Sequence, residues 1–418
     1  MQAINTVTAE ILAIGDELLY GHTADTNSHW ISGELDKAGI TVIRRTTTGD
    51  QEQEILNAFA EAEKRADIIL ITGGLGPTND DLTKPCLAKY FDCEMRINEE
   101  ALAEVTEFFI SRGRPLTDLN RLQASLPVCC EKITNRLGTA PGMWFERKGK
   151  VFVSMPGVPH EMKAMMRELI IPKLRQTFDT PSIHHAVIRT VGIGESFLAE
   201  KIAAWEKSLP PHISLAYLPG YGEVKLRLTA FGKDAAIMRQ EVALLIEEIQ
   251  SLAGDYIYGI GEDALEVVIG KQLRRKSLTL SLAESCTGGY LSHLITSVPG
   301  SSEYFQGCLV AYSNDVKAND LGVSRATLAQ HGAVSEAVIK EMASQVRLKF
   351  NSDIGVATSG IAGPGGGTVE KPVGTVWIAY SDKYQTVARK LQLSKDRLIN
   401  IKISAIAVLN LIRLSVRS

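Results

Sequence analysis

Two stretches of this 418-residue chain hold side chains whose types and spacing suit acyl-transfer chemistry. In LAESCTGGYL, residues 282–291, Ser285, Cys286 and Thr287 stand directly before Gly288 and Gly289. Glycines there let backbone N–H groups converge on a small anion such as a tetrahedral oxyanion. Ser285 and Cys286 are competing nucleophiles, and each needs a base. The nearest histidines, His293 and His331, bring no third group to orient them. In GCLVAYSNDVKAND, Tyr312, Ser313, Asn314 and Lys317 follow the next strand, about one βαβ repeat beyond Ser285. A Ser–Lys dyad is chemically sufficient when the lysine is dry enough to lose its proton near neutral pH. The alternative makes Lys317 a solvated turn lysine, Ser285 a helix N-cap and Cys286 a small packed residue.

A second group of turns is rich in glycine and carboxylate. ITGGLGPTNDDLT, residues 71–83, places Gly73, Gly74 and Gly76 after a strand, and Thr78 to Asp81 can cap a helix with its N–H groups facing an anion. That pattern suits a phosphate. Asp80 and Asp81 suit a divalent cation bridging phosphate oxygens, while the Lys-Ser/Thr of a P-loop is missing. A plain strand-to-helix turn with an Asp cap is the alternative. GDELLYG (15–21), LGTAPGM (137–143) and MPGVPHEM (155–162) add further polar turns, with Asp16, Glu17 and Glu161 as their acids. SGIAGPGGGT, residues 359–368, lets backbone approach a ligand closely or serves as a hinge. Arg397, in SKDRLIN, opens the last helix and can pair bidentately with a phosphate or simply face solvent.

The elements that position these turns read as α/β. Apolar runs at 8–14 and 67–72 resemble buried parallel strands, with amphipathic helices at 26–38 and 51–65 between them. A strand at 151–155 and a helix over 159–175 complete a doubly wound unit whose ligands collect where strand C-termini meet helix N-termini. Residues 185–252 read as a small α+β unit of strand, helix, two strands and helix. A third unit alternates strands at 278–282, 307–311, 353–358 and 374–380 with helices. The expected domains are 1–175, 176–256 and 257–418. Lys+Arg 45 against Asp+Glu 48 leaves a net charge of −3, which disfavours a dedicated nucleic-acid binder. The start, MQAINTVTAE, is no secretory leader, and no apolar stretch approaches bilayer length, so the expectation is a soluble cytoplasmic protein without membrane contact. Six cysteines without Cys-x-x-Cys spacing argue against zinc and against a disulfide framework.

TGGLGPTNDD, GDELL, GTAPG and PGVPHEM together resemble signature stretches of the CinA family, whose N-terminal domain is similar to the molybdopterin-binding fold. The resemblance implies a metal-dependent ADP-ribose pyrophosphatase, with Gly73, Gly74, Gly76, Thr78, Gly138 and Thr139 around the phosphates and Asp80, Asp81 and Glu17 near a divalent metal (Mg, Mn or Co). The family usually continues DDLT with Arg-Glu, whereas Lys84 and Pro85 stand here, which leaves binding without turnover open. ESCTGG, YSNDVK, LAQHGAVS, SGIAGPGGG, KPVGTVW and KDR resemble the family's C-terminal nicotinamide-nucleotide amidase domain, so the likeness covers essentially the whole chain. It implies hydrolysis of nicotinamide mononucleotide (NMN) to nicotinate mononucleotide and ammonia without a cofactor. In that reading Ser285 is the nucleophile, Lys317 its base and Tyr312 an active-site partner. Thr287, Gly288, Gly289, Asn314, Ser359, Gly360 and Arg397 contact substrate, with Lys395 where the family often has glycine. A homodimer is expected. The competing class is a nucleotide- or nucleic-acid-binding module, because the middle unit resembles a KH fold, although GIGE (192–195) and GYGE (220–223) match its GXXG loop poorly.

Overall fold

The computed structural model describes residues 7–78, 81–232 and 234–417. The chain divides into two compact units: residues up to His184 with Phe231–Met238, and His185–Ala230 with the chain from Arg239 onward.

The first unit runs β1 (Thr8–Ile14), α1 (Thr26–Lys37), β2 (Thr41–Thr48), α2 (Glu52–Arg65), β3 (Ile68–Thr72), α3 (Thr83–Tyr90), β4 (Met95–Ile97) and α4 (Glu99–Ile110). It continues through β5 (Ser125–Pro127), β6 (Glu131–Ile133), β7 (Gly142–Arg147), β8 (Lys150–Met155), α5 (Pro159–Met165) and α6 (Ile171–Thr177), with a π-turn at Met166–Ile170 joining the last two. Six strands pair in the order β2-β1-β3-β8-β7-β6. The four from β2 to β8 are parallel, as the apolar runs predict for β1 and β3, whereas β2 (TVIRRTTT) is largely exposed. The sheet is nonetheless mixed, because β7 runs antiparallel to both its neighbours, β8 and β6. A two-residue link, Lys148-Gly149, joins β7 to β8 with both residues in the left-handed region (φ 53° and 76°). So short a link permits only a hairpin. Strand β3 is buried throughout and splits its side chains by period two: Ile68 and Leu70 meet Ile31 and Leu35 of α1, while Ile69 and Ile71 meet Ile55 and Phe59 of α2.

One covalent feature departs from the sequence expectation. β4 and β5 pair antiparallel with Met95 opposite Pro127. Two residues further along that register Cys93 faces Cys129, their Cα atoms are 6.2 Å apart, and the sulfurs are bonded. A 36-residue separation hides this pair from any local spacing rule.

The second unit opens with β9 (Ser182–Val191), α7 (Glu195–Lys207), β10 (Ile213–Pro219), β11 (Glu223–Gly232), α8 (Ala235–Ala253) and β12 (Ile257–Ile260). Their sheet has the order β10-β11-β9-β12. Gly192–Gly194 joins β9 to α7 and Gly220–Gly222 turns β10 into β11.

The rest comprises α9 (Leu265–Lys276), β13 (Leu280–Glu284), α10 (Tyr290–Thr296), β14 (Phe305–Val310), α11 (Asn314–Asn319), α12 (Arg325–His331) and α13 (Glu336–Lys349). It ends with β15 (Ile354–Gly360), β16 (Thr375–Ser381), β17 (Thr386–Gln392) and α14 (Arg397–Arg417). The sheet order is β14-β13-β15-β16-β17, with β13 parallel to both neighbours and β16 and β17 antiparallel. Leu280, Leu282 and Val356 pack towards α9 and α14, while Ala283 and Ala357 pack towards α13. Contrary to the sequence reading, α14 is long and apolar enough to cross a membrane by length and composition. It contributes Ala405, Val408, Leu409 and Ile412 to the core, and its buried Asn400 and Arg413 bond to carbonyls of the fold.

Candidate functional site

Strand β13 is the axis of the site. Parallel pairing sets Glu284 opposite Val310 of β14 and Thr358 of β15, so the turns that leave all three strands meet at one end of the sheet. Ser285 follows Glu284 immediately, is 7 % exposed, and its N–H donates to the Thr358 carbonyl (3.0 Å). Lys317 arrives from α11, whose first turn is capped by the Ser313 hydroxyl accepting from Val316 N–H. Its Nζ lies 3.1 Å from Ser285 Oγ, 2.8 Å from the Ala311 carbonyl and 3.1 Å from the Tyr312 carbonyl. Only 1 % of Lys317 is exposed, and burial pushes its amine below the usual lysine range.

These three neighbours fix what the amine can do. Both carbonyls only accept, so they take two N–H bonds. In the neutral amine the remaining direction holds the lone pair, and the group it faces is Ser285 Oγ, whose O–H then donates to nitrogen. The competing nucleophile loses on the same grounds. Burial pushes the Cys286 thiol up to about 12, so no thiolate is present near neutral pH. His293 and His331 are exposed and do not line the cavity.

A cavity of about 230 Å³ opens over the dyad, lined by Ser285, Cys286, Tyr312, Asn314, Lys317, Ser359, Gly360 and Arg397. Eight of the sequence-selected positions thus converge, Cys286 among them. Gly360 must be glycine: a Cβ there would meet Val376 Cγ2 at 2.6 Å and the Thr375 carbonyl at 2.9 Å. Ser359 Oγ donates to the Ala333 carbonyl (2.8 Å), which brings in a wall of Ala333 and Val334 that only the GAVS motif hints at. Arg397 donates through Nη1 to the Gly363 carbonyl and through Nη2 to the Tyr312 hydroxyl, each at 2.8 Å. Thr287, Gly288 and Gly289 do not line the cavity. Thr287 Oγ1 lies 2.7 Å from Thr358 Oγ1, and the N–H groups of Gly288 and Gly289 go to the Ser285 carbonyl and the Glu284 carboxylate. Their part is to shape the turn, with both glycines at positive φ (59° and 98°).

In the first unit a cavity of about 510 Å³ sits at the exits of β1, β3 and β8, and Gly73, Gly74, Gly76, Thr139, Glu17 and Asp81 line it. Gly138 lies behind this wall, against the Glu161 carboxylate. Thr78 is turned onto its own loop, where its N–H (2.9 Å) and hydroxyl donate to Asp81, which also accepts from Gly76 N–H (2.8 Å). Asp80 lies outside the described residues. Asp25, Asp50 and Glu161 add to the acidic wall, and no lysine or arginine lines it among the described residues. A phosphate there needs a cation brought with it. Yet Asp81 spends its oxygens on its own turn, and among the described residues no three His, Cys, Asp or Glu side chains close on one point. The described residues therefore do not complete a metal site. Behind the wall, Lys84 donates from Nζ to the Gln123 carbonyl (2.7 Å), and burial brings its amine to about 8.

The chain matches three family descriptions in succession: a probable molybdopterin binding domain over 10–176, a damage-inducible protein CinA KH domain over 185–259, and a CinA C-terminal domain over 262–416. A CinA-like protein of Cytophaga hutchinsonii is 50% identical over 407 residues, 97% of each chain. One from Flavobacterium psychrophilum is 44% identical, covering 93% of this chain and 94% of the relative. Among solved structures, CinA from Thermoplasma acidophilum is 34% identical with a TM-score of 0.38, covering 42% of this chain and 99% of its own. Identity across almost the full length, together with three domain matches in order, shows that this chain belongs to the CinA family.

Proposed function

We propose that the chain is a nicotinamide-nucleotide amidase that converts NMN and water to nicotinate mononucleotide and ammonia. The observation that carries this is the buried Lys317 amine, held by two carbonyls with its third direction on Ser285 Oγ at 3.1 Å. The Ser285 O–H proton passes to Nζ as Oγ bonds the carboxamide carbon, whose oxygen takes the negative charge. Collapse breaks the carbon–nitrogen bond, and the Lys317 ammonium returns its proton to the leaving nitrogen, releasing ammonia. Water then attacks the ester, giving a proton to Nζ, and Ser285 leaves as the alcohol with that proton. Arg397 and the Tyr312 hydroxyl, which line the cavity and bond to each other, are the groups for the nucleotide phosphate. Ser285→Ala in the full chain tests the assignment: ammonia release from NMN should vanish while any hydrolysis of ADP-ribose is unchanged. Surviving release would move the nucleophile elsewhere.

A second activity is favoured by the 510 Å³ cavity at three strand exits: binding of a nucleoside diphosphate such as ADP-ribose, with hydrolysis to AMP and ribose 5-phosphate. Lys84 and Pro85 stand where the family usually has Arg-Glu, so binding and turnover are separable. Incubation with ADP-ribose, with and without divalent ions, distinguishes them. The reading places the protein in the cytoplasm, acting on small molecules, as a homodimer.

A further inference from the structure

Glu284 is fully buried and stands directly before Ser285 in a strand otherwise built of Leu, Ser, Leu and Ala. A carboxylate in such a place must be matched by donors. Its Oε2 accepts from Gly289 N–H (2.9 Å) and Leu291 N–H (3.2 Å), and its Oε1 accepts from Ser292 N–H (2.7 Å). The Cys308 thiol, 3.6 Å from Oε1, faces it from β14. Lysine and arginine are absent from these partners, and all three N–H groups belong to the chain that leaves Ser285 and opens α10.

That arrangement sorts the amides of the nucleophile turn. Gly288 N–H closes onto the Ser285 carbonyl at 3.1 Å, and Gly289 N–H is taken by Glu284. Cys286 and Thr287 are left with no hydrogen-bond partner for N–H outside their own residues among the described bonds. Of the two, Cys286 lines the cavity. An acceptor fixed below the turn thus draws the later amides inward and leaves the amide next to the nucleophile for the reacting oxygen.

We infer that Glu284 is a positioning residue of the amidase site: it holds the 285–289 turn so that Cys286 N–H meets the oxyanion formed when Ser285 attacks. The inference rests on the amidase reading. Glu284 neither lines the cavity nor bonds to Lys317, so it acts on the chemical step rather than on binding or on the ionisation of the base.

Glu284→Gln tests it in the full chain. An amide must aim its NH₂ either at Ser292 N–H or at the Gly289 and Leu291 pair, so at least one of the three bonds is lost. The expected result is kcat for ammonia release from NMN lowered by about 10-fold or more. KM should stay within about twofold, with unchanged calorimetric affinity for nicotinate mononucleotide and an unmoved acid limb of the pH profile. A residue needed only for folding would lower the active fraction and leave kcat per titrated Ser285 unchanged, so sites are counted by fluorophosphonate labelling at saturation. If Glu284→Gln does not fold, Glu284→Asp, which keeps both oxygens, gives the same readout. A variant with wild-type kcat per site overturns the inference; a wild type that releases no ammonia instead overturns the amidase reading.

Discussion

Arg397 Nη2 and the Tyr312 hydroxyl are 2.8 Å apart, which ties the first turn of α14 to the loop leaving β14. Eighty-five residues separate the two in sequence. The guanidinium holds its fork with one bond to Tyr312 and one to the Gly363 carbonyl, which fixes its plane; on the proposed reading its remaining N–H groups serve the nucleotide phosphate. Arg397→Ala should therefore raise KM for NMN roughly 10- to 100-fold, the worth of a charge-assisted hydrogen bond, and lower kcat much less. Steady-state kinetics checks the split, and an equal loss in kcat would place Arg397 in the chemical step.

As the proposed base, the Lys317 amine must be neutral, so activity should rise with pH along an acid limb set by this group, below the ordinary lysine value. The same burial predicts a stability effect of fixed sign. Between the lowered folded value and the ordinary unfolded one, the unfolded chain binds more protons, so stability rises with pH. The wild type should gain on Lys317→Met as pH is raised towards 10, with a flat difference below the folded value. Chemical denaturation across pH measures this; a difference independent of pH refutes it.

Cys286 sits beside the nucleophile yet is held as a thiol, pushed up to about 12. Cys286→Ala should retain kcat within about threefold, since its contribution is a backbone N–H that alanine keeps. Iodoacetamide at pH 8 should leave activity intact. Loss of activity in the alanine variant would return the thiol to the list of nucleophiles.

The Cys93–Cys129 bond closes a 36-residue loop in the first unit. Loop-closure entropy gives such a link about 3–4 kcal/mol. Cys93→Ala should lower the unfolding midpoint of the first unit and leave ammonia release unchanged. Calorimetry with and without reductant checks it, and reductant should not affect the variant.

Much of this was legible in the residues. Ser285 and Lys317 were paired because a strand–helix–strand repeat separates them, and parallel neighbours bring their turns together. The buried parallel strands declared themselves as unbroken apolar runs. The turn to antiparallel at β7 is hidden, because Lys148-Gly149 is not one of the Asn-Gly or Asp-Gly pairs that mark a two-residue hairpin and a positive φ at lysine is invisible in composition. The disulfide required a register that no local pattern supplies. Glu284 carries no signal of its own in the sequence. The proposal for it rests on the amides of Gly289, Leu291 and Ser292 turning back onto its carboxylate, which no local pattern supplies.

The alternation of β13 has one further consequence. Successive residues of a strand face opposite ways, so Glu284, its last residue, and the proposed nucleophile Ser285, which continues it, point to opposite sides. Deleting one residue within β13 would draw Ser285 into the place of Glu284, seating the hydroxyl in the interior, and would move the acid to the place of Ala283, against α13. Length in this strand is thus constrained as tightly as residue identity.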